Sequence, residues 1–253
     1  MGEIKGTTRV CGLIGNPVGH SISPVIHNTL ADLCGIDMVY TTFKVEKGAV
    51  DTAVKGAHAL DILGLNVTVP HKQEVIGALE SVDPLAEAIG AVNTLVRTEH
   101  GYKGYNTDIL GLERELIDEG VVLLGSRCVI LGAGGAARAI AFLCAKSGAK
   151  EIYMLNRTKE KTYDIAKAVN DYFGKECIKP MLISEYDKLE ADDYVVIQTT
   201  SVGLYPNVDD VVIDDEAFYK KVKVGVDIIY NPSETRFMKM CKNAGKPACN
   251  GLK

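Results

Sequence analysis

Arg127-Cys128-Val129-Ile130-Leu131-Gly132-Ala133-Gly134-Gly135-Ala136-Ala137 is the stretch on which the fold turns. An apolar run of strand character enters a Gly-x-Gly-x-x-Ala turn, and a helical apolar pattern follows over 135–147. The glycines let the backbone turn tightly and approach a pyrophosphate, and the small third residue lets helix and strand pack closely. Free N–H groups at the helix start can then meet an anion. The strand before and the helix after raise this spacing above a bare motif match. The alternative is a tight strand–helix turn with no ligand. The next strand, 152–155, ends in Asn156-Arg157-Thr158, with Lys159 and Lys161 following. NAD-binding folds usually place an acid there for the ribose hydroxyl. Arginine instead offers a planar fork for a phosphate. The missing acid favours NADP, against a solvated charged loop as the alternative.

Outward from this turn, strand and helix patterns alternate along the whole chain. Toward the N-terminus we read strands at 9–15, 38–45, 62–69, 91–97 and 102–106, with helices at 24–33 and 71–79. Ile26, Leu30 and Leu33 fall on one face of the first helix, and Ser23-Pro24 suits its start. Toward the C-terminus, helices at 108–119, 159–173 and 234–244 flank strands at 194–198 and 224–228. Helical crossovers between strands imply mainly parallel sheets. The economical reading is α/β with two domains. Residues 1–107 form a substrate domain to which 245–253 return, and 108–244 form a Rossmann-type domain, with the active site in the cleft between them.

Composition narrows the function. The 253 residues are 47% hydrophobic and 24% charged, an ordinary globular balance. The 28 Lys+Arg against 33 Asp+Glu leave a net charge of −5, without the basic excess of a nucleic-acid binder. No apolar run is long enough for a membrane span, and the first residues carry no secretory pattern. The seven cysteines are scattered and never form Cys-x-x-Cys, which speaks for reduced thiols in the cytoplasm and against a structural metal site. The expected partner is a small molecule, bound by a monomer or homodimer.

Four polar segments in the first half follow strand ends, where open α/β sheets bind ligands. Gly15-Asn16-Pro17-Val18-Gly19-His20-Ser21-Ile22-Ser23-Pro24 brackets a helix start with two serines, suited to a carboxylate; Ser23 as a plain N-cap is the alternative. In Asn66-Val67-Thr68-Val69-Pro70-His71-Lys72, Asn66 and Thr68 share one strand face and the valines the other. Gly90-Ala91-Val92-Asn93-Thr94 and Tyr105-Asn106-Thr107-Asp108 complete the set. Hydride transfer to a ketone needs a proton donor at the carbonyl oxygen, and Lys72 and Asp108 could share that proton. The competing reading is a surface lysine and an acid in the first turn of a helix. His20 and His71 are further candidates by chemistry, though often structural in such loops. His27 and Asn28 suit holding the first helical turn.

Together these segments, with Asp227-Ile228-Ile229-Tyr230-Asn231-Pro232, resemble the shikimate dehydrogenase family across essentially the whole chain. The resemblance implies NADP-dependent, reversible reduction of 3-dehydroshikimate to shikimate in aromatic amino-acid biosynthesis. It implies that Ser21 and Ser23 hold the substrate carboxylate, and that Thr68, Asn93 and Asp108 bind ring hydroxyls. Asn66 and Tyr230 join the substrate contacts, and Lys72 with Asp108 form the catalytic pair. Gly132, Ala133, Gly134, Gly135 and Ala136 are then expected at the pyrophosphate. Asn156, Arg157, Thr158 and Lys161 are expected at the 2′-phosphate, with Thr200, Ser201, Ile228 and Gly251 as further cofactor contacts. No metal is expected.

Two departures stand out. Lys161 replaces a second arginine common in the family, which weakens bidentate phosphate recognition. The sequence also stops at Lys253, before a family glutamine and a helix expected to pack on the first domain. Two alternatives follow: a quinate/shikimate dehydrogenase with relaxed substrate or cofactor choice, and a C-terminally truncated, non-catalytic relative that binds the same ligands.

Overall fold

The computed structural model describes residues 4–229 and 231–250. The chain divides at Thr107–Asp108 into two units, each built on a six-stranded sheet.

The first unit contains β1 (Arg9–Gly15), α1 (Ser23–Cys34), β2 (Met38–Lys44), α2 (Val50–Ala59), β3 (Gly64–Val67), β4 (Ser81–Val82), α3 (Pro84–Ile89), β5 (Thr94–Arg97) and β6 (Tyr102–Tyr105). The strand order is β2-β1-β3-β5-β6-β4. β1 is parallel to β2 and β3, whereas β5 runs antiparallel to both β3 and β6. The sheet is therefore mixed. The short turn at His100-Gly101 explains the antiparallel pair, since only antiparallel neighbours can be joined so briefly. Val50, Val54 and Ala57 of α2 bury against Ile14, Leu65, Val67, Leu95 and Tyr102 to form the core.

Two expectations for this unit are corrected, and the face of α1 is given its direction. The helix expected over 71–79 is a single 3₁₀ turn, Glu74–Ala78. The third strand ends at Val67: Thr68 N still makes the regular parallel bond to Ile14 O, but Asn16 N then reaches Val69 O, one residue out of step with the ladder, as the chain leaves toward Pro70. Ile26, Leu30 and Leu33 of α1 face outward, 46%, 51% and 77% exposed. What seats α1 instead is Ala31, a His27–Tyr40 ring stack at 4.2 Å, and Asn28. The Asn28 side chain donates to Pro24 O (2.7 Å) and Tyr40 O (2.9 Å) and accepts from Tyr40 N (2.8 Å).

The second unit comprises α4 (Asp108–Asp118), β7 (Arg127–Leu131), α5 (Gly135–Lys146), β8 (Glu151–Asn156), α6 (Lys159–Phe173), β9 (Ile178–Leu182), β10 (Tyr194–Gln198), α7 (Glu216–Lys220), β11 (Val222–Asp227), α8 (Arg236–Asn243) and β12 (Ala248–Asn250). Its order, β12-β11-β10-β7-β8-β9, is parallel throughout. The two central strands, β7 and β10, are buried on both faces, as parallel sheets covered by helices require. The expected return of 245–253 to the first unit is overturned for the described part. Ala248, Cys249 and Asn250 instead pair with Gly225, Val226 and Asp227 and extend the second sheet. Among the described residues no helix is long and apolar enough to cross a membrane.

Candidate active site

In the first unit the polar segments leave the sheet at one end. β1 and β3 run parallel and β5 opposes them, so the carboxyl ends of the first two lie beside the start of the third. Leu13 is in register with Asn66, and Asn66 with Thr94. A Cβ on Gly15 would sit 2.4 Å from Thr68 Cγ2, so β1 ends tightly against Thr68.

Ser21 and Ser23 come together. The Ser21 hydroxyl accepts from Ser23 N (3.2 Å) and donates to the Ser23 hydroxyl (3.1 Å). Ser23 is not the N-cap: Ile22 takes that position, and α1 has no side-chain cap. The Ser23 hydroxyl is thus not committed to the helix backbone.

Asn66 is held from one side by Tyr40, whose hydroxyl donates to Asn66 Oδ1 at 2.7 Å. Burial pushes the Tyr40 phenol up to about 12, so it stays a donor. Among the described residues the Asn66 amide nitrogen makes only long contacts of 3.4 Å, to Asn93 O and Thr94 Oγ1. Asn93 is buried, and its Oδ1 accepts from Thr94 Oγ1 (2.9 Å), Thr107 N (2.9 Å) and Thr107 Oγ1 (3.1 Å). Asp108, the next residue, opens α4. Lys72 is pinned through its backbone: its carbonyl accepts from Val92 N at 2.8 Å. The preceding His71 is fully buried, with Nε2 donating to Val45 O (2.8 Å) and Nδ1 3.2 Å from Glu74. His71 is therefore a brace for the Lys72 loop, while His20 is exposed.

In the second unit, Gly132 has φ +118, and a Cβ there would meet Thr199 Oγ1 at 2.6 Å and Thr200 Cγ2 at 2.9 Å. Local geometry alone requires that glycine. Gly134 and Gly135 differ: beyond the adjoining chain, a Cβ at either would meet no atom of the described residues within 4 Å. Gly134 is the N-cap of α5 and has no side-chain partner to offer, so the first N–H groups of the helix open to an anion. Ala137, the small third position, is fully buried, whereas Ala136 is exposed and Ala133 half-buried.

At the end of β8, Asn156 Nδ2 donates to Thr158 O (2.9 Å) and shapes the turn into α6. Thr158 is the α6 N-cap, yet its side chain makes no cap hydrogen bond. Arg157 and Lys161 are exposed, and neither has an anionic partner among the described residues. Thr200 is half-buried and Ser201 exposed, both just beyond β10, and Ile228 N donates to Gln198 O beyond β11. Tyr230 and Gly251 lie outside the described residues.

The sequence reading missed the polar cluster beneath these loops: Gln198, Asp227 and Thr235, all almost fully buried. Asp227 accepts from Thr235 Oγ1 (2.6 Å), Ile229 N (3.0 Å) and Gln198 Nε2 (3.4 Å). Burial raises its carboxyl to about 6 against the pull of those donors. An acid inside an apolar run, Val224-Gly225-Val226-Asp227-Ile228-Ile229, was the available signal, because a buried charge demands partners.

Comparison with known proteins agrees with this layout. Residues 13–95 match the shikimate dehydrogenase substrate binding domain, and residues 116–234 match shikimate / quinate 5-dehydrogenase. A shikimate dehydrogenase (NADP(+)) of Caldanaerobacter subterraneus subsp. tengcongensis is 42% identical over 250 residues, covering 99% of this chain and 88% of its own length. That of Methanosarcina acetivorans is 42% identical over 247 residues, covering 96% and 87%. The shikimate 5-dehydrogenase of Listeria monocytogenes, solved with shikimate and NAD, superposes with a TM-score of 0.88 at 31% identity, over 100% of this chain and 89% of that one. The chain belongs to the shikimate dehydrogenase family.

Proposed function

We propose that this chain reversibly reduces 3-dehydroshikimate to shikimate with NADPH, as part of aromatic amino-acid biosynthesis. The observation that carries the reading is the set of hydrogen-bonding side chains at one end of the first sheet, Ser21, Ser23, Asn66, Thr68 and Asn93, beside the pinned Lys72 loop. Those groups suit a ring bearing one carboxylate and several hydroxyls.

Ser21 and Ser23 take the carboxylate with their hydroxyls, at the positive end of α1. Thr68, Asn93 and Asp108 take ring hydroxyls, with Asn66 and Tyr230 as further contacts. NADPH supplies a hydride when bound. Lys72 donates the proton to the oxygen of the ketone being reduced, and Asp108 shares it; in oxidation the same pair removes it. Gly132, Ala133, Gly134, Gly135 and Ala136 hold the pyrophosphate, where the open space at Gly134 and Gly135 leaves room for it. Asn156, Arg157, Thr158 and Lys161 hold the 2′-phosphate, and the exposed cations at α6 fit that role. Thr200, Ser201 and Ile228 face the nicotinamide side, and Gly251 is a further cofactor contact. The cytoplasm suits the enzyme, whose seven cysteines are all unpaired.

The test is NADP⁺ reduction with shikimate as the only alcohol, followed by the near-ultraviolet absorbance of NADPH. Absence of a shikimate-dependent rise would overturn the reading.

A further inference from the structure

Gln198 ends β10 with its side chain almost completely buried, and both ends of its amide are engaged. Its Oε1 accepts from Thr200 N. Its Nε2 lies within reach of Thr200 O (3.3 Å), Val202 O (3.1 Å) and Asp227 Oδ1 (3.4 Å). One side chain thus brackets the backbone of 199–202. The Thr200 hydroxyl closes the bracket by accepting from Val202 N at 3.1 Å.

Asp227 joins the Thr200 and Val202 carbonyls as a third acceptor that fixes which way the amide faces. It is the register partner of Gln198 across β10 and β11. A carboxylate offers acceptors only, so it must meet the amide nitrogen, which turns the amide oxygen toward Thr200 N. The same carboxylate takes Ile229 N, fixing the chain just past Ile228. At its first residues the bracketed segment touches the glycine turn: Thr199 Oγ1 donates to Leu131 O at 2.7 Å, and Thr199 and Thr200 fill the space that a Gly132 side chain would need.

We propose that Gln198 is a positioning residue for hydride transfer: oriented by Asp227 together with the Thr200 and Val202 carbonyls, it holds 199–202 against the Gly132 turn and so sets where the nicotinamide lies. This rests on the reading that Thr200, Ser201 and Ile228 face the nicotinamide. Gln198 itself acts only through the backbone it brackets.

Gln198→Met keeps the length and removes every hydrogen bond. Its kcat for shikimate oxidation should fall about 10- to 100-fold, the range for slight misplacement of reacting groups. The Kd for adenosine 2′,5′-bisphosphate, a probe confined to the adenine end, should hold within about twofold. Asn170→Ala is the stability control. Asn170 accepts from Cys177 N and Ile178 N at the far edge of the sheet, so its loss should lower Tm while kcat stays within about twofold. Unchanged kcat in Gln198→Met, or a parallel loss of bisphosphate affinity, overturns the proposal. In the unaltered chain, hydrogen exchange of the Thr200, Val202 and Ile229 amides should be as slow as within β10. Exchange at loop rates overturns it even if Gln198→Met fails to fold. A chain with slow exchange but no shikimate-dependent NADP⁺ reduction overturns the functional reading, and this proposal with it.

Discussion

Gly132 and Gly134 stand two residues apart, and substituting each by alanine separates what the fold needs from what the ligand needs. At Gly132 the backbone is at φ +118, and a new methyl would lie 2.6 Å from Thr199 Oγ1 and 2.9 Å from Thr200 Cγ2. The backbone conformation costs about 1–3 kcal/mol for an L-residue, and overpacking adds about 1–3 kcal/mol. With Tm moving about 2–4 °C per kcal/mol in a unit of this size, Gly132→Ala should melt roughly 5–20 °C lower. Gly134 has φ −94, and beyond the adjoining chain a methyl group there would meet no atom of the described residues within 4 Å, so Gly134→Ala should hold its Tm within about 2 °C. Its effect should fall on the cofactor, because the methyl occupies the approach to the α5 N–H groups. Losing a charge-assisted hydrogen bond of about 1.5–3 kcal/mol raises the NADP⁺ Kd roughly 10- to 150-fold. Thermal unfolding and titration calorimetry on both variants measure the contrast. A Gly134→Ala protein that binds NADP⁺ normally would refute the pyrophosphate assignment.

Lys72→Ala should lower kcat about 100-fold or more with much less change in shikimate Kd, and a near-normal kcat would leave Lys72 an ordinary loop lysine. Arg157→Ala should raise the KM for NADP⁺ about 10- to 150-fold and leave NAD⁺ almost unchanged, since only NADP⁺ carries the phosphate; equal losses would mean that Arg157 serves the loop or the adenine. Asp227 yields a pH prediction. Burial raises its carboxyl from 3.8 to about 6, so the folded state binds the proton more tightly than the unfolded state does. Its contribution to stability is present below about pH 4 and is lost as pH rises toward about 6, by up to about 3 kcal/mol. Cys241 and Tyr219 face it, but burial pushes both upward, so neither titrates in that window. Tm measured from pH 4 to 7 should fall less steeply in Asp227→Asn than in the parent; parallel curves would contradict the buried-acid assignment.

Where one local rule governed, the sequence was readable. β7, α6 and β10 fall at the expected residues because each pairs an unbroken periodicity with clear turn signals. α2 escaped notice although Val50, Val54 and Ala57 have helical spacing, since valines, Thr52 and Gly56 are weak helix formers and packing overrides them. β9 was missed because Pro180 argues against a strand, yet an edge tolerates it. The spacing of Ile26, Leu30 and Leu33 gave a face of α1 but not its direction, and only the structure shows that this face is exposed. At the site, Ser21, Ser23 and the Gly132 turn were legible from short-range spacing. Tyr40 against Asn66 and Gln198 against Asp227 are 26 and 29 residues apart, and only strand register brings such pairs together.

The Asn28 side chain has a consequence beyond seating its helix. β2 is the outermost strand of the first sheet, and such a strand offers unpaired donors and acceptors to any passing chain. At Tyr40 both backbone groups are already occupied by a single carboxamide, which presents the same donor and acceptor that a neighbouring strand would. Asn28 is in effect a one-residue counterfeit strand. It interrupts the template midway along β2 and guards a nascent or crowded protein against edge-to-edge aggregation.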